Sequence, residues 1–108
     1  MMDELERTIY INDLFQLYGK LLSDTQQEII LDYYEYNLSL SEIAENRNIS
    51  RAAVDDALKK GVKKLEKYEE DLKFYQRNED IKSLINKLKE KNLNDDVKEI
   101  IKEIEGRL

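Results

Sequence analysis

Apolar residues recur along this chain at steps of three and four, the spacing of one helix face, and not in the sustained alternation of a half-buried strand. Six helices follow from that pattern. The first, near residues 3–22, places Leu5, Tyr10, Leu14, Leu17, Tyr18 and Leu21 at those steps. Ser23 with Gln26 makes a capping box for the second, near 25–36, whose buried face is expected at Ile29, Ile30, Tyr33 and Tyr34. Ser39 with Glu42 makes another and opens a short third helix, near 40–47. Ser50 caps a fourth that begins at Arg51.

The fourth helix is long. From Val54 the steps alternate four and three through Leu58, Gly61, Leu65, Tyr68, Leu72 and Tyr75, a heptad-like seam. Such a seam packs either on other helices of the same chain or on a second copy, and glycine and tyrosine are poor residues for the second. Asn78 with Glu79 and Asp80 predicts a break and restart, because acidic residues suit a helix N-terminus. A fifth helix then uses Ile81, Leu84, Ile85 and Leu88. A sixth starts at Asn94, uses Val97, Ile100, Ile101 and Ile104, and ends at Gly106. The polar turn at 91–94 predicts an antiparallel hairpin. Residues 1–75 are thus expected to form one domain and 76–108 a C-terminal helical hairpin available for dimerisation.

Residues 38–58 carry the most information. Two helices that cross steeply need a small residue where they touch, and Ala44 fills that place. Asn48 follows four positions later, where the turn requires a left-handed backbone that asparagine tolerates better than most residues. Ile49 is expected to plug the turn into the core, Ser50 to cap the next helix, and Val54 to pack back on the first. Ile43 and Leu58 complete the small core. The geometry is that of a helix-turn-helix. In DNA-binding versions the second helix presents its first residues to base edges in the major groove. Here that outer face bears Ser50, Arg51, Ala52, Asp55, Asp56 and Lys59, and Lys59, Lys60, Lys63 and Lys64 continue a basic run. Arg51 can reach a guanine edge or a phosphate, and Ser50 can donate to a phosphate. Asp55 and Asp56 oppose a polyanion, and the lysines are equally read as ordinary exposed surface.

Several stretches together resemble one family: Leu22-Ser-Asp-Thr-Gln-Gln26, Asp32-Tyr-Tyr34, Leu38-Ser-Leu-Ser-Glu-Ile-Ala-Glu-Asn46, Ile49-Ser-Arg51 and Ala53-Val54. They are similar to the YlxM-type proteins of low-GC bacteria, encoded beside genes of the signal recognition particle. Their helix-turn-helix unit in turn resembles region four of bacterial sigma factors. The resemblance covers roughly residues 9–72. It implies an all-α fold with a sigma region four-like core, a DNA-binding regulator, a homodimer, and a link to signal recognition particle components. It puts readout on Ser50, Arg51, Ala52 and Asp55. The chain departs from the family pattern at Ala52, where glutamine is usual, at Asp55, where a larger residue is usual, and at Arg47, where an apolar one is.

Composition narrows the chemistry. Of 108 residues, 39% are charged, against about 25% in an average domain, so apolar residues must be gathered on helix faces. Proline is absent and there are three glycines, which leaves helices uninterrupted. Cysteine and histidine are also absent, which removes thiol nucleophiles, imidazole bases and the usual zinc ligands. No catalytic residue, metal or cofactor is expected, and the protein is not expected to be an enzyme. Carboxylates at 69–71 and at Asp95 and Asp96 are expected on solvated helix surface. The start is acidic, without the basic residues and apolar run of a signal peptide. No stretch approaches the roughly 20 apolar residues that span a bilayer, so a cytoplasmic location is expected. The net charge of −6 is uneven: residues 1–36 carry two basic and eight acidic side chains, whereas 37–65 carry six basic and four acidic. The positive stretch coincides with the helix-turn-helix, which leaves a focused duplex DNA contact open.

Overall fold

The computed structural model describes residues 1–108, all helical apart from turns. Six α-helices run in order: α1 (Glu4–Tyr18), α2 (Asp24–Ile30), α3 (Leu40–Arg47), α4 (Arg51–Leu72), α5 (Phe74–Lys89) and α6 (Asp95–Glu105). A 3₁₀ turn (Gly19–Leu21) follows α1, and a π-helical turn (Leu31–Glu35) extends α2. The chain divides into two compact units, Met1–Leu72 and Lys73–Leu108.

Local chemistry starts most of these helices. The Ser23–Gln26 and Ser39–Glu42 capping boxes are both closed. Asp3 accepts from the Glu6 amide at 2.8 Å, Ser50 from the Ala53 amide at 3.0 Å, and Asn94 from the Val97 amide at 2.9 Å. The Ser39 backbone N–H, and then its hydroxyl, hold the Glu42 carboxyl below its ordinary pKa. That favourable contribution is present above the usual glutamate range and is lost as pH falls through the lowered value.

In the first unit, α4 is the central rod against which α1, α2 and α3 pack. Val54, Leu58, Gly61 and Leu65 all lie on its buried face, so the heptad-like seam serves this chain's own core. Facing them are Ile11, Leu14 and Tyr18 from α1, Ile29 and Ile30 from α2, and Ile43 and Ala44 from α3. Three expectations change here. On α1 the buried stripe runs through Ile11, Leu14 and Tyr18, while Leu5, Leu17 and Leu21 stay exposed. Tyr33 and Tyr34 are only half-buried, because the π-helical turn carries an extra residue and rotates them off the core face. The expectation of solvated carboxylates fails at Glu69, which is buried and accepts a 2.7 Å hydrogen bond from the Tyr18 hydroxyl.

The corner between α3 and α4 is tight. Asn48 has φ 54° and ψ 45°, in the left-handed region. The Ile49 amide donates to the Ala44 carbonyl at 3.1 Å and the Asn48 amide to the Glu45 carbonyl at 3.3 Å, the paired bonds of a Schellman motif. Ile49 does not plug the core, since it remains 39% exposed. Ile43, on the preceding helix, is fully buried as expected. Asn48→Gly is expected to leave stability nearly unchanged, whereas Asn48→Val should cost about 1–2 kcal/mol because a β-branched residue resists positive φ. Urea titration of the two variants checks this.

The long helix ends at Leu72, earlier than the pattern through Tyr75 predicts. Lys73 breaks it by adopting a left-handed backbone (φ 59°), and Asn78 lies inside α5 rather than at a restart. In the second unit α5 and α6 form a skewed hairpin. Lys89 in the last turn of α5 pairs with Glu105 in the last turn of α6 at 2.7 Å. A simple antiparallel stack would hold those ends roughly 15 Å apart, given 1.5 Å of rise per residue. Ile85 and Ile101 are buried, but Leu84 is 63% and Ile100 57% exposed, with Leu88 and Ile104 also open.

Candidate nucleic-acid interface

The exposed surface around the start of α4 is set by the Asn48 corner. Because the Schellman turn reverses the chain and Val54 is fully buried against the core, the first turn of α4 projects outward with Ser50, Arg51 and Ala52 exposed. Arg51 has no ion-pair partner, which leaves its guanidinium available.

The next turns are differently arranged. Asp55 is half-buried and binds Lys59 at 2.8 Å, and Asp56 binds Lys60 at 3.0 Å. Both are i,i+4 pairs on an exposed helix face, the spacing that brings side chains one turn apart together. The hydrogen bond that Lys59 donates to Asp55 raises its ammonium pKa above the ordinary value. Exposed pairs of this kind are weak and screened by salt. Their effect here is electrostatic neutralisation, not stability: two of the four lysines face a carboxylate of their own helix.

The basic run also divides. Asp55, Lys59, Lys63 and Glu66 share one edge of α4, lining a groove toward α1 and the π-helical turn. Lys64 lies on the other side, its ammonium 3.4 Å from the Gln26 side-chain oxygen of α2. The expected residues Asp55, Lys59 and Lys63 therefore share one edge, with Ser50, Arg51 and Ala52 exposed at the first turn, while Lys60 and Lys64 turn away from it.

One residue near the site carries a role the sequence reading did not assign. Arg47 reaches back from α3 with Nε 2.7 Å from Asp32 Oδ2 and Nη1 2.7 Å from Glu28 Oε2. It ties the first helix of the motif to α2 and the π-helical turn, and the Asp32 hydrogen bond raises its pKa further. The signal was in Asp32, a half-buried carboxylate on the π-helical turn, but its partner lies fifteen residues away.

Residues 5–105 fit UPF0122, described as "Putative helix-turn-helix protein, YlxM / p13 like". The chain belongs to that family. A UPF0122 protein of Fusobacterium nucleatum is 41% identical over 100 residues, covering 93% of this chain and 97% of the relative. One from Malacoplasma penetrans is 43% identical over 98 residues, covering 91% of each. One from Bacillus cereus is 39% identical over 106 residues, covering 94% of this chain and 96% of the relative. The UPF0122 match thus takes in the second unit as well as the helix-turn-helix, beyond the residues on which the sequence resemblance rested. No helix of the structure is long and apolar enough to cross a membrane.

Proposed function

We propose that this UPF0122 member is a helix-turn-helix regulatory protein that contacts duplex DNA through the start of α4. The supporting observation is the outward, unpaired Arg51 flanked by Ser50 and Ala52 on a corner that directs them away from the core. Arg51 reads a guanine edge or a phosphate, and Ser50 and the lysines Lys59, Lys60, Lys63 and Lys64 contact the backbone. The protein acts as a homodimer, with the exposed apolar side chains Leu84, Leu88, Ile100 and Ile104 of the second unit meeting those of a second copy. Light scattering should then give about twice the chain mass, and a monomer at high concentration ends the dimer reading.

A second reading has its own support. The Asp55–Lys59 and Asp56–Lys60 pairs cancel charge where a phosphate contact needs it. They favour a helix-turn-helix retained as a protein-interaction module, an accessory factor of the signal recognition particle pathway.

One experiment separates the two. Selection from random duplex pools at low salt, followed by gel shift, should enrich a site for the wild type. Arg51→Ala should weaken binding and reduce the salt slope by about one. Asp55→Asn with Asp56→Asn should bind more tightly, because two lysines are released and two repulsive charges removed. If neither the wild type nor the double variant enriches any duplex, the DNA reading fails and the interaction module stands. Recovery of targeting-pathway components in a pull-down from cognate lysate is then its expected signature.

A further inference from the structure

Beside α4 runs an open groove of about 480 Å³, with Lys59 and Lys63 on one edge and Arg7 of α1, Tyr33 and Tyr34 opposite. We infer that this groove binds a nucleoside phosphate, its base lying against the tyrosine pair and a phosphate at Lys63. The volume falls within the roughly 300–1,000 Å³ usual for small-ligand sites.

The choice of ligand class rests on what the groove leaves uncovered. Its floor, Leu58 and Val62, is already 7% and 8% exposed, so a leucine-faced helix docking there would gain little apolar burial. The accessible apolar surface comes instead from aromatic rings. Tyr33 and Tyr34 form an edge-to-face pair, with centroids 4.9 Å apart and planes at 77°, in which only one of the four ring faces is covered by the partner ring, and both residues are half-buried. A flat heteroaromatic ring stacks on such a face with little regard to its identity. Burial raises the Tyr34 phenol pKa, so its hydroxyl stays a neutral donor.

The rim supplies a single uncommitted positive charge. Arg7 is held by Glu66 at 3.2 Å and Lys59 by Asp55 at 2.8 Å, whereas Lys63 has no ion pair. A free ammonium beside an aromatic platform suits an anionic group on a planar ring. The platform is also held in place. The Asn12 side-chain amide donates to the Tyr34 carbonyl at 3.3 Å, and Arg47 grips Asp32 one residue before Tyr33. The tyrosines sit on the π-helical turn, an irregularity frequent at functional sites. The DNA reading also uses Lys63, so nucleotide and duplex should compete for that ammonium, but nucleotide binding itself does not require that α4 touch DNA.

The test is a titration of the isotope-labelled full-length protein with ATP, GTP, adenosine and inorganic tripolyphosphate, followed by amide shifts in NMR. ATP or GTP should give saturable shifts at Arg7, Tyr33, Tyr34 and α4 between Leu58 and Lys63. Adenosine and tripolyphosphate should each bind at least about tenfold more weakly, since each lacks half of the recognition. Lys63→Glu, at an exposed position, should weaken nucleotide binding about tenfold with an unchanged circular dichroism spectrum. Tyr33→Ala should weaken it as well. Absence of saturable shifts at millimolar nucleotide overturns the inference. So does tripolyphosphate binding as tightly as ATP along all the lysines, or nucleotide binding indifferent to Lys63→Glu.

Discussion

Replacing Ile43 by alanine should lower the unfolding free energy of the first unit by about 2–5 kcal/mol, the range for a buried isoleucine truncated without collapse of its site. Ile43 is 0% exposed and sits on an eight-residue helix. Isolated helices shorter than about 12–15 residues are marginal in water, so α3 exists only because this face is buried. Domains of this size have total stabilities of the same order as the expected loss, and the variant should be largely unfolded at moderate urea. Ile49→Ala is the matched control. Its side chain is half in solvent, and it should cost less than about 1 kcal/mol on the area lost. Urea denaturation of both variants by circular dichroism decides the matter. Equal losses at the two positions would mean that the corner is packed through Ile49 and that the description of α3 against α4 is wrong.

Gly61→Leu should cost about 3 kcal/mol or more, the upper range for overpacking a filled core. A Cβ at Gly61 would lie 2.7 Å from Ile30 Cδ1 and 3.5 Å from Gln26 Cβ. Ile30 is fully buried and has little room to yield, so glycine here permits the close approach of α2 to α4. Gly61→Ala is the finer probe. It gains about 1 kcal/mol of helix propensity but drives a methyl into Ile30. Ile30→Val removes the obstructing carbon and alone should cost about 0.5–1.5 kcal/mol. Combined, the two changes should be more stable than the sum of the singles by about 1 kcal/mol, the mark of residues in direct contact. Strict additivity in the double-mutant cycle would show that α2 and α4 do not meet at this point.

These positions differ in how far the sequence reveals them. Ser23–Gln26, Ser39–Glu42, Ser50 and Asn94 cap their helices because a capping bond joins residues three apart and needs nothing from the rest of the chain. Asn48 is legible for the same reason: one residue with a tolerance for positive φ, between a capped helix and another cap. The i,i+4 spacing of Asp55–Lys59 and Asp56–Lys60 makes the pairing legible in the sequence as well. Gly61 is a poor residue for a dimer seam, and only the packing of Ile30 against it explains its place.

By itself, then, the sequence determined most of what depends on near neighbours along the chain: the helix caps and the corner that turns α3 into α4, though not the break at Lys73 that ends α4. Tertiary structure alone decided which of two adjacent stripes on α1 faces inward, that Glu69 is buried with Tyr18, that Arg47 closes on Asp32, and that Tyr33 and Tyr34 line a groove instead of a core. A helical period marks which residues share a face. It carries no record of which distant face will meet it, because that contact is chosen by packing summed over the whole unit.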